Sequence, residues 1–313
     1  MKNNTMTDWD VKKAFQIFEY PVHYPTIYID EYWDYYMQIF GIKDSYINFK
    51  TLFKEEFKDY DDFRNSCYNI AKNAEKKLFN TDISSALKNL SKYSSNLPDL
   101  TTPRIYDFPD GNYLIIDLHS GFDAALKTAG VFNTDYDSTK EILHSLTDKT
   151  LLWTTKQIRI NTYFGFLSHS FTCFKICAEI LNKICNSNHP VIQKLNQKYN
   201  KPNKCNGDCI IYNIGNDDLS DLNGDYEIDG FSINMSTCKI KTVQILNQKF
   251  KIKLQSSNKI DYNIGYSPTG NLLPQLYPLA LSLFYGKEPT EKDLAIGCED
   301  KIYFYLNKND YEL

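Results

Sequence analysis

Tyr113-Leu114-Ile115-Ile116-Asp117-Leu118-His119-Ser120-Gly121-Phe122 decides how this chain is read. The apolar run follows the turn Pro109-Asp110-Gly111 and ends in a carboxylate, and a helix-like stretch, Asp123–Gly130, comes next. A short apolar run bounded by turn residues reads as a buried strand. Cys209–Ile214 repeats the pattern, with Gly215-Asn216-Asp217-Asp218 as its turn. Between the two, residues 139–200 carry helical spacing with a break near Gly165–Ser170. Residues 226–254 hold strands of alternating texture, through Phe231, Ile233 and Met235 and then Phe250, Ile252 and Leu254. Leu276–Tyr285 reads as a short helix and Lys301–Leu306 as a last strand. Upstream, Trp9–Tyr20, Glu31–Phe40 and Thr51–Asn80 have helical spacing, and the polar stretch around Leu90–Pro103 reads as a linker. One strand, then helices, then hairpins is an α+β arrangement. The expected domains are a helical one over 1–103 and a catalytic one over 104–313, with a helical insertion at about 139–204.

Composition narrows the classes. In 313 residues, 42% are hydrophobic and 24% charged, which excludes a disordered chain. The longest apolar stretches are far too short for a bilayer, so no membrane partner is expected. MKNNTMTDWD lacks an apolar signal core. Eight cysteines are too few for a disulfide scaffold, so reduced thiols and a cytoplasmic location are expected. A net charge of −4 excludes a globally basic nucleic-acid binder and leaves room for a local basic groove. The wealth of Tyr, Phe, Asn, Lys and Ile over 13 Gly matches an AT-rich genome. That suits a virus or a mobile element, with host cytoplasm or virion as the setting.

Chemistry is expected where carboxylates end strands. Asp117 and the pair Asp217-Asp218 are the candidates for catalysis and for metal binding. Converging carboxylates hold Mg²⁺ (or Mn²⁺), and two such ions about 3.5–4 Å apart serve phosphoryl transfer. The plain alternative for Asp217-Asp218 is a turn, where Asp and Asn collect. Lys156-Gln157-Ile158-Arg159-Ile160-Asn161-Thr162-Tyr163-Phe164-Gly165 lies between the candidates. On a helix, Lys156, Ile160 and Phe164 share a face with Arg159 one turn away. Two cations and a ring suit a nucleoside triphosphate; the plain alternative is an ordinary surface helix.

In order, these parts resemble family B DNA polymerases. Asp117-Leu-His-Ser120-Gly-Phe122 resembles the family's first palm motif. Asn161-Thr-Tyr-Phe164-Gly165 is similar to its fingers-helix motif, although Lys156 stands five residues before Asn161 where the family has four. Ile210–Asp218 is similar to its metal-binding hairpin, with adjacent aspartates as in reverse transcriptases. The Lys156–Phe164 spacing also resembles the helix of family A and single-subunit RNA polymerases. The resemblance covers roughly residues 105–250. It implies a palm-like antiparallel sheet with a fingers-like insertion, and a nucleotidyltransfer activity with or without a template. It also implies metal binding by Asp117, Asp217 and Asp218. Nucleotide binding falls to Lys156, Arg159, Asn161 and Phe164, with Phe122 against the sugar. The partners are a nucleoside triphosphate and a nucleic-acid primer or template. The lysines at 239, 241, 249, 251 and 253 are expected along a duplex backbone, joined by those at 194, 198, 201 and 204. The helices of 1–103 are open to a protein partner.

Two rival readings stand beside this one. A metallophosphoesterase would take Asp117-Leu-His119, Gly207-Asp208 and Gly215-Asn216-Asp217. A viral or mobile-element module that keeps the palm without catalysis would need none of them. A zinc site built on Cys205, Cys209, Cys173 or Cys177 lacks regular paired spacing.

Overall fold

The computed structural model describes residues 7–19, 33, 37, 41–97, 107–163, 170–199, 204, 205, 207–255, 266, 267, 270–272, 276–298 and 301–312. The expected helix Glu31–Phe40, most of the linker after Leu97, and the helix break with Phe164 and Gly165 lie outside them, apart from isolated positions.

The helices before the first strand are α1 (Asp8–Ala14), α2 (Lys43–Glu56), α3 (Tyr60–Leu78) and α4 (Ile83–Ser95). Strand β1 (Gly111–Leu118) leads into α5 (Gly121–Thr128), α6 (Thr139–His144), α7 (Thr150–Thr154), α8 (Lys156–Tyr163), α9 (Ser170–Cys185) and α10 (Pro190–Tyr199). Then come β2 (Lys204–Cys205), β3 (Cys209–Gly215), β4 (Gly224–Ile228), β5 (Phe231–Ile245) and β6 (Gln248–Gln255). The chain closes with β7 (Tyr266–Ser267), β8 (Gly270–Asn271), α11 (Tyr277–Phe284), α12 (Glu291–Leu294), β9 (Ala295–Cys298), β10 (Lys301–Tyr305) and β11 (Tyr311–Glu312). The protein is α+β. Among the described residues no helix is long and apolar enough to cross a membrane.

The chain forms two compact units, divided differently from the expected boundary near residue 103. One comprises Met1–Asn65, Ile105–Gly111 and Lys239–Leu313; the other comprises Ser66–Arg104 and Asn112–Cys238. The division between the units falls inside α3.

In the first unit the N-terminal core is aromatic. Phe15 meets Trp33, Tyr46 and Phe49 edge-on, and Phe63 meets Phe18, Phe49 and Phe57 likewise. Such edge-to-face pairs add to the area they bury. The final stretch of β5 pairs with β11, and α11 is apolar on nearly every side and buried. Two of the lysines expected along a nucleic-acid backbone serve this unit's own frame. Lys241 donates to the carbonyls of Leu283 and Phe284 at the end of α11. Lys251 pairs with Asp110, which also accepts from the backbone N–H and the hydroxyl of Thr242.

In the second unit the strands lie in the order β2-β3-β1-β5, and β4 pairs with β5 as a hairpin. Both β2 and β1 run antiparallel to β3. Leu114, Ile116 and Leu118 alternate along one face of β1, while Tyr113 and Ile115 are buried on the other. Helices α9 and α10 pack on β3, and the Tyr212 hydroxyl donates to Asn196 Oδ1 at 3.0 Å. Helix α9 also packs on α5, and α6, α7 and α8 pack together. Buried Asp123 ties α5 to the start of α6, accepting from the Thr139 N–H at 3.1 Å and its hydroxyl at 2.5 Å.

Asp123→Ala strands both donors of Thr139 in a buried place. It is expected to cost about 3 kcal/mol in chemical denaturation; a loss below about 1 kcal/mol would show that the tie is dispensable.

Candidate functional site

The β1–β3 register decides which carboxylates meet. Asp117 pairs with Cys209 and Asn112 with Gly215. Asp117 therefore stands beside the start of β3, while Asp217 and Asp218 follow its far end. The six steps from Cys209 to Gly215 put roughly 20 Å between the two places, at about 3.3 Å per residue. The expected convergence of Asp117 with Asp217 and Asp218 is corrected on this ground. Antiparallel neighbours bring the end of one strand beside the beginning of the other, so two strand-end carboxylates lie at opposite edges.

Both far residues serve the turn. Asp217 accepts from the Tyr199 hydroxyl and from Lys198 Nζ at 3.0 Å, which ties the end of α10 to the β3 turn. Asp218 accepts from the Ser220 N–H at 2.9 Å. The Tyr199 hydroxyl first, then the Lys198 ammonium, hold the Asp217 carboxyl below its ordinary pKa. The Ser220 N–H does the same for Asp218.

The carboxylate that does meet Asp117 is Asp208. Asp208 immediately precedes β3, and the pairing of Asp117 with Cys209 puts it beside the end of β1. Asp117, Asp208 and Cys209 each bring one ligand atom to within 4.8 Å of the others. The Leu118 N–H donates to the Asp208 carbonyl at 2.9 Å and fixes the turn to β1.

Small residues make the approach possible. Ser120 takes a left-handed conformation, φ 48°, to turn β1 into α5. A Cβ on Gly121 would stand 3.1 Å from the Asp208 Cβ, and the Cys177 thiol donates to the Gly121 carbonyl at 3.2 Å. Gly207 has φ +72°, and a Cβ there would stand 2.9 Å from the Phe174 ring. Phe174 on α9 thus backs the hairpin, and Phe122 packs on it with ring centroids 5.5 Å apart.

Nearby, His119 Nε2 lies 2.9 Å from Asp225 Oδ1, which also accepts from Asn234 Nδ2 at 2.7 Å. These two partners, the Asn234 amide first, hold Asp225 below its ordinary pKa. The His119 N–H bonds the Ser232 carbonyl at 3.0 Å, which anchors the end of β1 to β5.

On α8, Arg159 Nη1 donates to the Thr154 carbonyl at 3.1 Å and Asn161 accepts from Gln157 at 3.1 Å. Lys156 begins the helix, and Phe164 lies outside the described residues. The metallophosphoesterase residues separate: Asp208 joins Asp117, but Asp217 is at the other end of β3 and His119 is bonded to Asp225.

Asp208, the residue that meets Asp117, is not among the site residues expected from the sequence. The available signal was Gly207-Asp208 immediately before the apolar run Cys209–Ile214, a turn carboxylate at a strand's beginning. No protein family, curated protein or solved structure matches this chain.

Two outcomes follow. Gly207→Ala meets both a left-handed φ and the Phe174 ring. It is expected to lower stability by about 1–3 kcal/mol in chemical denaturation, with partial recovery in Gly207→Ala/Phe174→Leu; equal stability of wild type and Gly207→Ala would remove the steric role of this position. Asp217, with its folded pKa depressed, contributes stability above the ordinary carboxylate pKa and loses it as pH falls through the folded value. The melting difference between wild type and Asp217→Asn is therefore expected at neutral pH and to vanish in acid.

Proposed function

We propose that this chain is a divalent-cation-dependent nucleotidyltransferase of palm type, with Asp117 and Asp208 as its acidic pair. The observation that carries this reading is the meeting of Asp117, at the end of β1, with Asp208 in the β2–β3 turn. The order β2-β3-β1-β5, with helices inserted between β1 and β2, supports it. So does the resemblance of Asp117–Phe122 and Asn161–Gly165 to polymerase motifs. The hairpin role expected of Asp217-Asp218 passes to Asp208.

The donor set fits a divalent ion: two carboxylates and a sulfur within 4.8 Å of one another. When bound, Mg²⁺ or Mn²⁺ supplies positive charge to triphosphate oxygens and to charge that develops during phosphoryl transfer. Asp117 is held by the strand ladder, and Asp208 by the Leu118 N–H and the packing of Gly121 and Phe174. The backbone that carries both carboxylates is thus fixed before a substrate arrives. Cys209 adds a softer donor than the all-oxygen shells that Mg²⁺ favours, which tilts the site toward Mn²⁺. Lys156 and Arg159 are assigned to the triphosphate, since a guanidinium carries five N–H donors and, among the described residues, that of Arg159 bonds the Thr154 carbonyl through Nη1. Phe122, packed on Phe174, is assigned to support of the hairpin rather than to contact with the sugar.

Metal-dependent incorporation from nucleoside triphosphates, with and without a primer–template, tests the reading. Asp117→Asn and Asp208→Asn are expected to fall to background with wild-type melting. Asp217→Asn and Asp218→Asn are expected to keep full activity, and Cys209→Ser to lower the Mn²⁺/Mg²⁺ activity ratio. Full activity in a well-folded Asp208→Asn would end this assignment.

A further inference from the structure

The β4–β5 hairpin leaves one backbone edge open. Its turn is Asp229-Gly230, with φ 53° and 80°, both left-handed, as a two-residue turn of the I′ class requires. Ile228 and Phe231 flank the turn as the first hydrogen-bonded pair, and Tyr226 with Ile233 and Gly224 with Met235 repeat it along the register. Asp225 and Glu227 alternate with these, so their own N–H and C=O groups point away from β5. The Ser232 carbonyl, opposite Glu227, likewise points away from β4 and accepts from the His119 N–H. Among the described residues β4 pairs with β5 alone, and Asp225, Glu227 and Asp229 are exposed.

That edge is strongly acidic. Between Lys204 and Lys239 the chain carries seven carboxylates and no lysine, arginine or histidine. Strand β1, on the other side of β5, has no cation either. From outside the stretch, Lys198 meets Asp217 and His119 meets Asp225. Asp221, Glu227 and Asp229 have no ion pair among the described residues. Asp225 and Glu227 stand two residues apart and share a face, and they are the residues whose backbone is open. This arrangement excludes two occupants. A second copy pairing antiparallel through β4 would set Asp225 against Glu227, and like charges directly opposite destabilise a sheet. A nucleic-acid strand would bring phosphates to carboxylates. A cationic strand satisfies both the open backbone and the charge.

We propose that β4 docks an extended cationic segment of a partner protein, which adds an antiparallel strand to this edge. Backbone bonds to Asp225 and Glu227 hold the segment, and its side chains at i and i+2 stand directly opposite the two carboxylates. The cations therefore have to alternate, because adjacent ones point to opposite faces of the sheet. The inference does not rest on the nucleotidyl-transfer reading.

Fluorescence anisotropy of a labelled peptide with arginine at i and i+2 among threonine and valine, titrated with the full chain, tests this. The isomer with its two arginines adjacent is expected to bind about threefold more weakly. The same peptide N-methylated at both arginines keeps its charge and loses the donors that meet β4, and is expected to bind about tenfold more weakly. Glu227→Gln is expected to cost about threefold. Glu227→Pro removes an outward N–H and leaves the ladder with β5 whole, so it is expected to cost about tenfold with wild-type melting. Equal binding of the isomer or of the N-methylated peptide would overturn the proposal, and both tests use the wild-type chain, so they stand even where Glu227→Pro fails to fold. Displacement of the peptide by oligothymidylate, or self-association of wild type that Glu227→Pro abolishes, would overturn it in favour of the excluded occupants.

Discussion

The hydrogen bond from the Leu118 N–H to the Asp208 carbonyl, 2.9 Å long, is the constraint on which the site depends. It extends the antiparallel β1–β3 ladder past Asp117 and Cys209, so the turn before β3 cannot drift from the end of β1. A shift by one residue would turn Cys209 to the opposite face and carry Asp208 away from Asp117. Two carboxylates are thus brought together by backbone pairing, before any side chain makes a choice.

Small residues and one left-handed turn let the backbone of Asp208 approach the end of β1. Ser120 accepts a left-handed φ so that α5 can begin at once after β1. Gly121 leaves room for Asp208, and Gly207 leaves room for Phe174. Strain and lost side chains at these positions cost stability locally and are offset by the buried strands and helices around them, among them Leu114, Ile116, Ile180 and Leu181.

Much of the fold was legible. The apolar runs at Tyr113–Asp117 and Cys209–Ile214 are strands, the spacing in 139–200 gives helices, and the alternation in 226–254 gives β4, β5 and β6. Periodicity carries this information because burial on one face is local. Pairing is not local. Nothing in Asp217-Asp218 or Gly207-Asp208 says which end of β3 lies beside Asp117; only the antiparallel register does. The same limit explains the lysines. Lys241 and Lys251 read as a basic stripe, yet their partners, the end of α11 and Asp110, are distant in sequence. The division of the chain inside α3 was equally hidden, since a continuous helix shows no composition break.

The central claim, that Asp117 and Asp208 hold one divalent cation between them, is open to a direct measurement. Fe²⁺ with ascorbate and peroxide cuts the backbone next to the place where the ion binds. The account predicts paired cuts around residues 117 and 208 in the same sample, suppressed together by Mn²⁺. Cuts confined to residues 217–218, or none at either strand end, would contradict it.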